Sequence, residues 1–120
     1  MYTVKVRSDF SGAHNLKGYK GRCEELHGHN WRIEVEVDSE ELDATGMVID
    51  FKELKNILDE IIGGMDHKYL NEIGHFKEIN PTSENIARYI FESISERKPD
   101  LGLGRVIVWE TDSSSATYSL

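Results

Sequence analysis

Residues 23–37 read CEELHGHNWRIEVEV, and they decide the fold because two histidines lead directly into a strictly alternating segment. From Trp31 to Val37 apolar and charged residues alternate, which is the pattern of a half-buried β-strand. Side chains in a strand repeat every second residue, so His27 and His29 fall on the same side as Trp31. Two imidazoles on one face are placed to bind a single metal ion. We expect Zn2+, since imidazole suits it and no redox partner is needed.

The third metal ligand expected from the sequence is His14. It follows another alternating segment, residues 2–7 (YTVKVR), whose valines point inward. If that phase continues to residue 14, its imidazole reaches the same inner face as His27 and His29. Three histidines with no fourth protein ligand leave an open coordination position, which is typical of a catalytic zinc site. A lone histidine near a strand end is more often an ordinary polar residue, but three in phase favour the metal.

Composition limits the classes of partner. The length of 120 residues fits a single domain over residues 1–120. The chain has 14 basic and 22 acidic residues and a net charge of -8, which argues against binding to nucleic acid or to an anionic membrane surface. Lys17, Lys20 and Arg22 form a basic loop that could meet an anionic substrate, although a solvated loop is the commoner explanation. With one cysteine, no membrane-length apolar run and no signal-peptide pattern, we expect a cytoplasmic protein.

Two helices are predicted in the middle of the chain. Asp50 is a helix cap, with Glu53 completing a capping-box-like pair, and an apolar stripe follows until Gly63-Gly64 ends the helix. A second helix begins within residues 80–84 (NPTSE), with Pro81 near its first turn.

A C-terminal hairpin completes the expected fold. Residues 105–110 form a strand, 111–114 the turn region and 116–120 the return strand. The order ββααββ predicts an α+β domain, an antiparallel sheet with both helices on one face. Its unpaired edge strands favour a homo-oligomer.

Two candidate proton-transfer groups accompany the histidines. Cys23 could be a fourth zinc ligand, a base or a buried small hydrophobe, and its acidic neighbours with the nearby metal motif favour the base. Asp66 and His67 could form the pair that draws its proton. The alternative is that Asp66 only caps a turn. A direct Asp66–His67 contact requires irregular backbone, which Gly63-Gly64 makes plausible.

Glu110 is a candidate for substrate binding. It lies on the same face of the predicted strand as Val106 and Val108, at the end of a row of apolar side chains. A carboxylate there can accept two parallel hydrogen bonds from a planar pair of N–H donors, or it can be a strand-end residue turned to solvent. His75 has no partner pattern and is expected on the surface.

These motifs together resemble the 6-pyruvoyl-tetrahydropterin synthase family over nearly the whole chain. The blocks that carry the resemblance are Cys23-x3-His27-Gly28-His29, residues 10–14 (FSGAH), 46–51 (GMVIDF), 65–71 (MDHKYLN), 80–85 (NPTSEN) and 109–111 (WET). The resemblance implies the tunnelling fold, in which ββααββ subunits assemble into barrels, usually as a homohexamer of two trimers with active sites at the interfaces.

The resemblance also implies roles for individual residues. His14, His27 and His29 would hold zinc, and Cys23 would accept a proton with His67 and Asp66 as its relay. Glu110 would hold the pterin ring and could also share in the relay. The pterin pocket would be lined by Thr82, Ser83 and Glu84.

The implied substrate is 7,8-dihydroneopterin triphosphate, and the implied enzyme is a lyase. The short spacing from Cys23 to His27 resembles the branch that forms 6-carboxytetrahydropterin for queuosine biosynthesis, releasing acetaldehyde and triphosphate. Glu24, three residues before His27, resembles the folate branch, which uses a glutamate as the base and forms 6-hydroxymethyl-7,8-dihydropterin. The pyruvoyl-forming branch has a longer insert at this point. A non-catalytic zinc- and pterin-binding protein is the hypothesis from another class, and the intact residues Cys23, Asp66, His67 and Glu110 argue against it.

Overall fold

The computed structural model describes residues 1–20 and 24–120. Within these residues, five strands and two α-helices follow one another, with two short 3-10 turns after β3. The elements are β1 (Tyr2–His14), β2 (His27–Ser39), α1 (Phe51–Gly63), β3 (Lys68–Tyr69), α2 (Ser83–Arg97), β4 (Leu103–Thr111) and β5 (Ser114–Tyr118). The predicted order ββααββ is confirmed, with the short β3 added. Neither helix of the described chain has the length and apolar character that a membrane-crossing helix requires.

The strands form one sheet in the order β3-β1-β2-β4-β5. β1 and β2 pair antiparallel over their whole length, from Tyr2 opposite Ser39 to His14 opposite His27. β4 and β5 continue the antiparallel pattern. β3 runs parallel to β1 through two residues, so the sheet is mixed rather than purely antiparallel. The α+β class is confirmed. The sheet departs from the prediction in the parallel β3 and in the C-terminal hairpin, whose return strand begins at Ser114 instead of residue 116.

The alternation of β2 determines which face of the sheet the helices cover. Trp31, Ile33, Val35 and Val37 are all buried in one core together with the apolar stripes of α1 and α2. The opposite face carries charged residues, including Lys5 with its Nζ 2.9 Å from a carboxylate oxygen of Glu34. This separation of apolar and charged faces orients the inward-facing residues of β1 and β2 toward the helices.

Both helices start where the sequence predicts, with Asp50 as the cap of α1 and α2 beginning within residues 80–84, and the capping contacts differ in detail. Asp50 caps α1 by accepting a hydrogen bond from the backbone N–H of Lys52, and Glu53 lies 3.2 Å from Lys98 Nζ instead of closing a capping box. Thr82 is the N-cap of α2, accepting from the N–H of Asn85. Pro81 therefore precedes the cap rather than lying in the first turn, which leaves its carbonyl free for a contact outside the helix.

Candidate metal centre and active site

Three histidines meet at the end of the β1–β2 ladder. The register pairs His14 with His27 and Gly12 with His29, so the three imidazoles occupy neighbouring inward positions on two strands. The Nε2 atoms of His14 and His27 are 3.0 Å apart, and the ring of His29 lies 5.2 Å from that of His14 and 4.8 Å from that of His27, centroid to centroid. The structure thus brings together all three ligands predicted from the strand phase.

Backbone carbonyls determine which ring nitrogens of His14 and His27 carry protons. Pro81 O lies 2.8 Å from Nδ1 of His14, and Glu25 O lies 3.0 Å from Nδ1 of His27. A carbonyl can only accept, so each Nδ1 is the donor and each neutral ring presents a lone pair at Nε2. This is the arrangement that metal-binding histidines adopt, with the far nitrogen oriented by a backbone acceptor.

The arrangement of these atoms fits a divalent cation. Two Nε2 lone pairs facing each other at 3.0 Å repel unless a cation or a proton lies between them. His29 Nε2 is buried and has no hydrogen-bond partner in the described part of the chain. Burial lowers the pKa of His29, so its ring is neutral at neutral pH and its lone pair is available. Imidazole donors in this number suit zinc.

A fourth candidate ligand, Glu110, joins the histidines. Its Oε1 lies 3.3 Å from Nε2 of His14 and 3.2 Å from Nε2 of His29. The donor atoms of these residues and His27 all lie within 4.8 Å of one another, close enough to hold one metal ion. The sequence predicted an open three-histidine site and assigned Glu110 to substrate. In the structure its carboxylate faces the histidines, and its role toward a substrate stays a prediction.

Trp31 forms the floor beneath the histidines. Its indole is fully buried, with ring centroids 4.9 Å from His14 and 5.2 Å from His29 in edge-to-face geometry. Its Nε1 donates to the carbonyl of Gly12, 3.2 Å away. The same alternation that buries the strand therefore also supports two of the candidate metal ligands, because Trp31 follows His29 by two residues.

Asp66 and His67 are in direct contact. Asp66 Oδ1 lies 3.0 Å from Nδ1 of His67. The irregular backbone that this contact needs occurs at His67 itself, whose φ of 57° is in the left-handed region, and not at Gly63-Gly64. Ser11 holds the pair from β1, since its N–H donates to Asp66 Oδ1 at 3.0 Å and its carbonyl accepts from His67 N–H at 2.6 Å. The hydrogen bond from Ser11, followed by the His67 contacts, lowers the pKa of Asp66.

His29 and His67 line one open cleft of about 490 Å³. Its other walls come from the paired ends of β1 and β2 and from β3, namely Ser11, Gly12, Ala13, Gly28, Asn30, Lys68 and Tyr69. This volume is within the range of small-molecule sites. The cleft therefore connects the Asp66–His67 pair with one of the three histidines of the candidate metal centre.

Of the two candidate bases before His27, only Glu24 lies among the described residues. Cys23, like Arg22 of the basic loop, lies outside the described residues. Glu24 has Oε1 3.6 Å from Nδ1 of His27, and that oxygen is buried with no hydrogen-bond partner among the residues described. A carboxylate oxygen in this setting is available to accept a proton or a ligand.

The remaining predicted site residues lie at the start of α2 and in the segment that follows β1. Thr82, Ser83 and Glu84 start α2, and this segment is tied to the site because the carbonyl of Pro81 binds His14. In this single chain they are not among the residues that line the cleft. Lys17 donates its backbone N–H to Asn80 Oδ1, at 2.8 Å.

Sequence reasoning missed an amide network next to His14. The buried Asn71 bonds both the N–H and the carbonyl of Asn15, whose side chain in turn donates to the carbonyl of Glu24 and accepts from Tyr69 Oη. The network ties the end of β1 to the segment before His27. The block at residues 65–71 contained both Tyr69 and Asn71, but nothing local indicated that they reach Asn15.

Comparisons with known proteins point to one family, whose members carry different names. The profile of the family described as 6-pyruvoyl tetrahydropterin synthase matches residues 3–120. A Synechocystis sp. protein named 6-carboxy-5,6,7,8-tetrahydropterin synthase is 40% identical, covering 98% of this chain and 93% of that protein. A Pyrococcus furiosus protein named dihydroneopterin monophosphate aldolase is 41% identical, covering 89% of this chain and 88% of that protein. The solved structure of Caenorhabditis elegans 6-pyruvoyl tetrahydropterin synthase superposes with a TM-score of 0.86 at 30% identity, over 99% of this chain and 95% of the other.

Proposed function

The chain belongs to the 6-pyruvoyl tetrahydropterin synthase family and is an enzyme of that family, and we propose that it converts 7,8-dihydroneopterin triphosphate to 6-carboxy-5,6,7,8-tetrahydropterin. Acetaldehyde and triphosphate are the other products, and the pathway served is queuosine biosynthesis. The observation that carries the proposal is the convergence of His14, His27 and His29, two of them oriented by backbone carbonyls, beside a cleft that also contains His67. The Synechocystis relative and the short Cys23–His27 spacing favour the carboxy-forming branch.

In the proposed mechanism the three histidines hold zinc through Nε2. A bound zinc ion supplies Lewis acidity, stabilising negative charge that develops on oxygen. His67 exchanges protons with Cys23 and the substrate side chain, while Asp66 holds the Nδ1–H of His67 and fixes its orientation. Glu110 accepts the N–H donors of the pterin ring. Thr82, Ser83 and Glu84 complete the pterin pocket.

The assembly we propose is a cytoplasmic homohexamer of two trimers. Edges of the sheet support it, because β5 is terminal and β1 is covered by β3 only at Gly12 and Ala13. Open edges pair with other strands unless they are protected. A group of half-exposed apolar side chains, Tyr2, Leu42, Met47 and Phe51, lines a second cleft beside β1 and supports contact with another subunit.

A second candidate function is aldolase cleavage of a dihydroneopterin phosphate to 6-hydroxymethyl-7,8-dihydropterin. Glu24 favours it, because its buried Oε1 lies 3.6 Å from the ring of His27 and could serve as the base in place of Cys23. The name of the Pyrococcus furiosus relative points the same way. The formation of a pyruvoyl product is the third possibility within the family.

Product analysis tests the proposal. Zinc-loaded protein is given 7,8-dihydroneopterin triphosphate, and separately the monophosphate, and the products are identified by chromatography and mass spectrometry. Acetaldehyde with 6-carboxytetrahydropterin supports the proposed activity. A hydroxymethylpterin supports the aldolase, and a pyruvoyl product or bound but unconverted pterin contradicts both.

Paired variants identify the base. If Cys23 accepts the proton, Cys23→Ala abolishes formation of the carboxypterin while Glu24→Ala retains it. The reverse pattern assigns the role to Glu24 and contradicts the proposed use of the thiol.

A further inference from the structure

We propose that Glu110 is a fourth metal ligand in the substrate-free protein, so that the resting site is closed by three imidazoles and one carboxylate. The inference rests on the proposed function for the metal itself and concerns the state of the site before substrate arrives. In this proposal Glu110 first binds the metal, and its carboxylate must dissociate from the metal before it can bind the pterin.

The distances fit shared coordination. Four ligand atoms placed 2.0–2.2 Å from a tetrahedral zinc ion lie about 3.3–3.6 Å from one another. Glu110 Oε1 is 3.3 Å from Nε2 of His14 and 3.2 Å from Nε2 of His29, and it lies within 4.8 Å of the donor atom of His27. The carboxylate therefore completes the coordination set that the three histidines begin.

Hydrogen bonds from neutral histidine rings do not account for the contact of the Glu110 carboxylate with His14 and His29. The Nδ1–H of His14 is already donated to Pro81, so in the neutral ring the Nε2 that faces Glu110 presents a lone pair. His29 Nε2 has no hydrogen-bond partner in the described chain, although Glu110 Oε1 is 3.2 Å away. An Nε2 atom without a hydrogen-bond partner in the described chain and a carboxylate oxygen 3.2 Å from it are placed to share a cation.

The fold allows Glu110 to move away from the metal. The β4–β5 pairing shifts register between Trp109 and Thr111, so Glu110 lies at a bulge, a feature that re-aims side chains. Its side chain is 33% exposed, in contrast to 2% for His14. Since two parallel hydrogen bonds to a planar N–H pair require both carboxylate oxygens, Glu110 cannot bind the metal through Oε1 and hold a pterin ring in that way at once.

Cobalt substitution tests the inference without turnover. Metal-free protein is loaded with Co2+, its affinity is measured by chelator competition, and the visible absorption of the bound ion reports its coordination. We expect Glu110→Gln to weaken Co2+ binding at least tenfold and to change the visible spectrum. Glu110→Asp keeps the charge but shortens the side chain by one methylene, so it should lose affinity similarly if the carboxylate is a ligand.

The control is Glu72→Gln, which removes the same charge from an exposed 3-10 turn and should retain wild-type affinity and spectrum. If Glu110→Gln and Glu110→Asp both match the wild type, the fourth ligand is refuted while the three-histidine site stands. If Glu110→Asp alone retains affinity, the carboxylate acts only through its charge, and the inference is again wrong. If wild type binds no Co2+, or His27→Ala binds it equally well, the proposed metal site itself fails.

Discussion

Replacing Trp31 with phenylalanine tests whether the buried strand supports the metal ligands mechanically. Trp31 is fully buried, its Nε1 donates to Gly12 O, and its ring packs against His14 and His29. Phenylalanine keeps an aromatic ring but removes the donor and part of the volume. The substitution should therefore lower both the free energy of unfolding and the affinity for the metal.

The size of the stability loss follows from these two contacts. Leaving the buried carbonyl of Gly12 without its donor costs about 1–3 kcal/mol. A void of a few tens of Å³ adds about 1 kcal/mol, at about 24 cal/mol per Å³. We expect a total of about 2–4 kcal/mol, which is a large share of the stability of a domain this size. Loosened support for two ligands should weaken Co2+ binding by about tenfold.

The assay separates the two effects. Urea unfolding of the metal-free proteins measures stability without the contribution of bound metal, and chelator competition measures affinity on folded protein. The control is Trp109→Phe, the same change on the opposite face of the sheet, where the partly buried indole donates to Glu34 at 3.0 Å. This control should lose some stability but retain the metal affinity of the wild type.

Two results would refute the reasoning. One is a loss below about 0.5 kcal/mol in Trp31→Phe, the level of an ordinary surface substitution. The other is an equal loss of Co2+ affinity in Trp31→Phe and Trp109→Phe, which would mean that general destabilisation, and not support of the ligands, weakens the site.

Two further substitutions address the sheet. Gly102→Ala would place a Cβ 2.3 Å from the backbone oxygen of Asp38, so we expect urea unfolding to show about 2–3 kcal/mol of destabilisation. The control is Gly63→Ala, which has nothing within 4 Å of the added Cβ and should be neutral or slightly stabilising. Equal effects of the two substitutions would contradict this expectation. Burial opposes the ionised form of Glu34, but hydrogen bonds from Lys5 and Trp109 outweigh it and lower the pKa of Glu34 below its ordinary 4.5. A carboxyl group whose pKa is lowered on folding stabilises the protein at pH values above its ordinary pKa, and this contribution is lost as the pH falls through the folded-state pKa. Below pH 4.5, the stability of Glu34→Gln should therefore fall less steeply than that of the wild type. An unchanged slope would exclude this contribution.

The histidine positions could be predicted because they depend on one local regularity. A period of two continues without interruption from Val6 through Phe10 to His14, and likewise from His27 to Val37, so each imidazole stays on the buried face. Sequence could not supply the register that sets His14 opposite His27. That pairing depends on the length and path of the connection between the strands.

Other parts of the site depend on contacts between distant residues and left no local signal. The left-handed backbone of His67 is held by hydrogen bonds to Ser11, more than fifty residues earlier. Pro81 orients His14 because it precedes the cap of α2, where a proline carbonyl stays free of helical bonding. Glu110 reaches the histidines at a bulge, and strand parity alone indicates a face but not the direction of a side chain at a bulge.

The central claim is that His14, His27 and His29 together bind one divalent ion. Its most direct test is a crystal of the protein grown with zinc and measured at the zinc absorption edge. The account predicts one anomalous peak about 2.0–2.1 Å from the Nε2 atoms of all three histidines. Full zinc occupancy elsewhere, with no peak between these three rings, would contradict it.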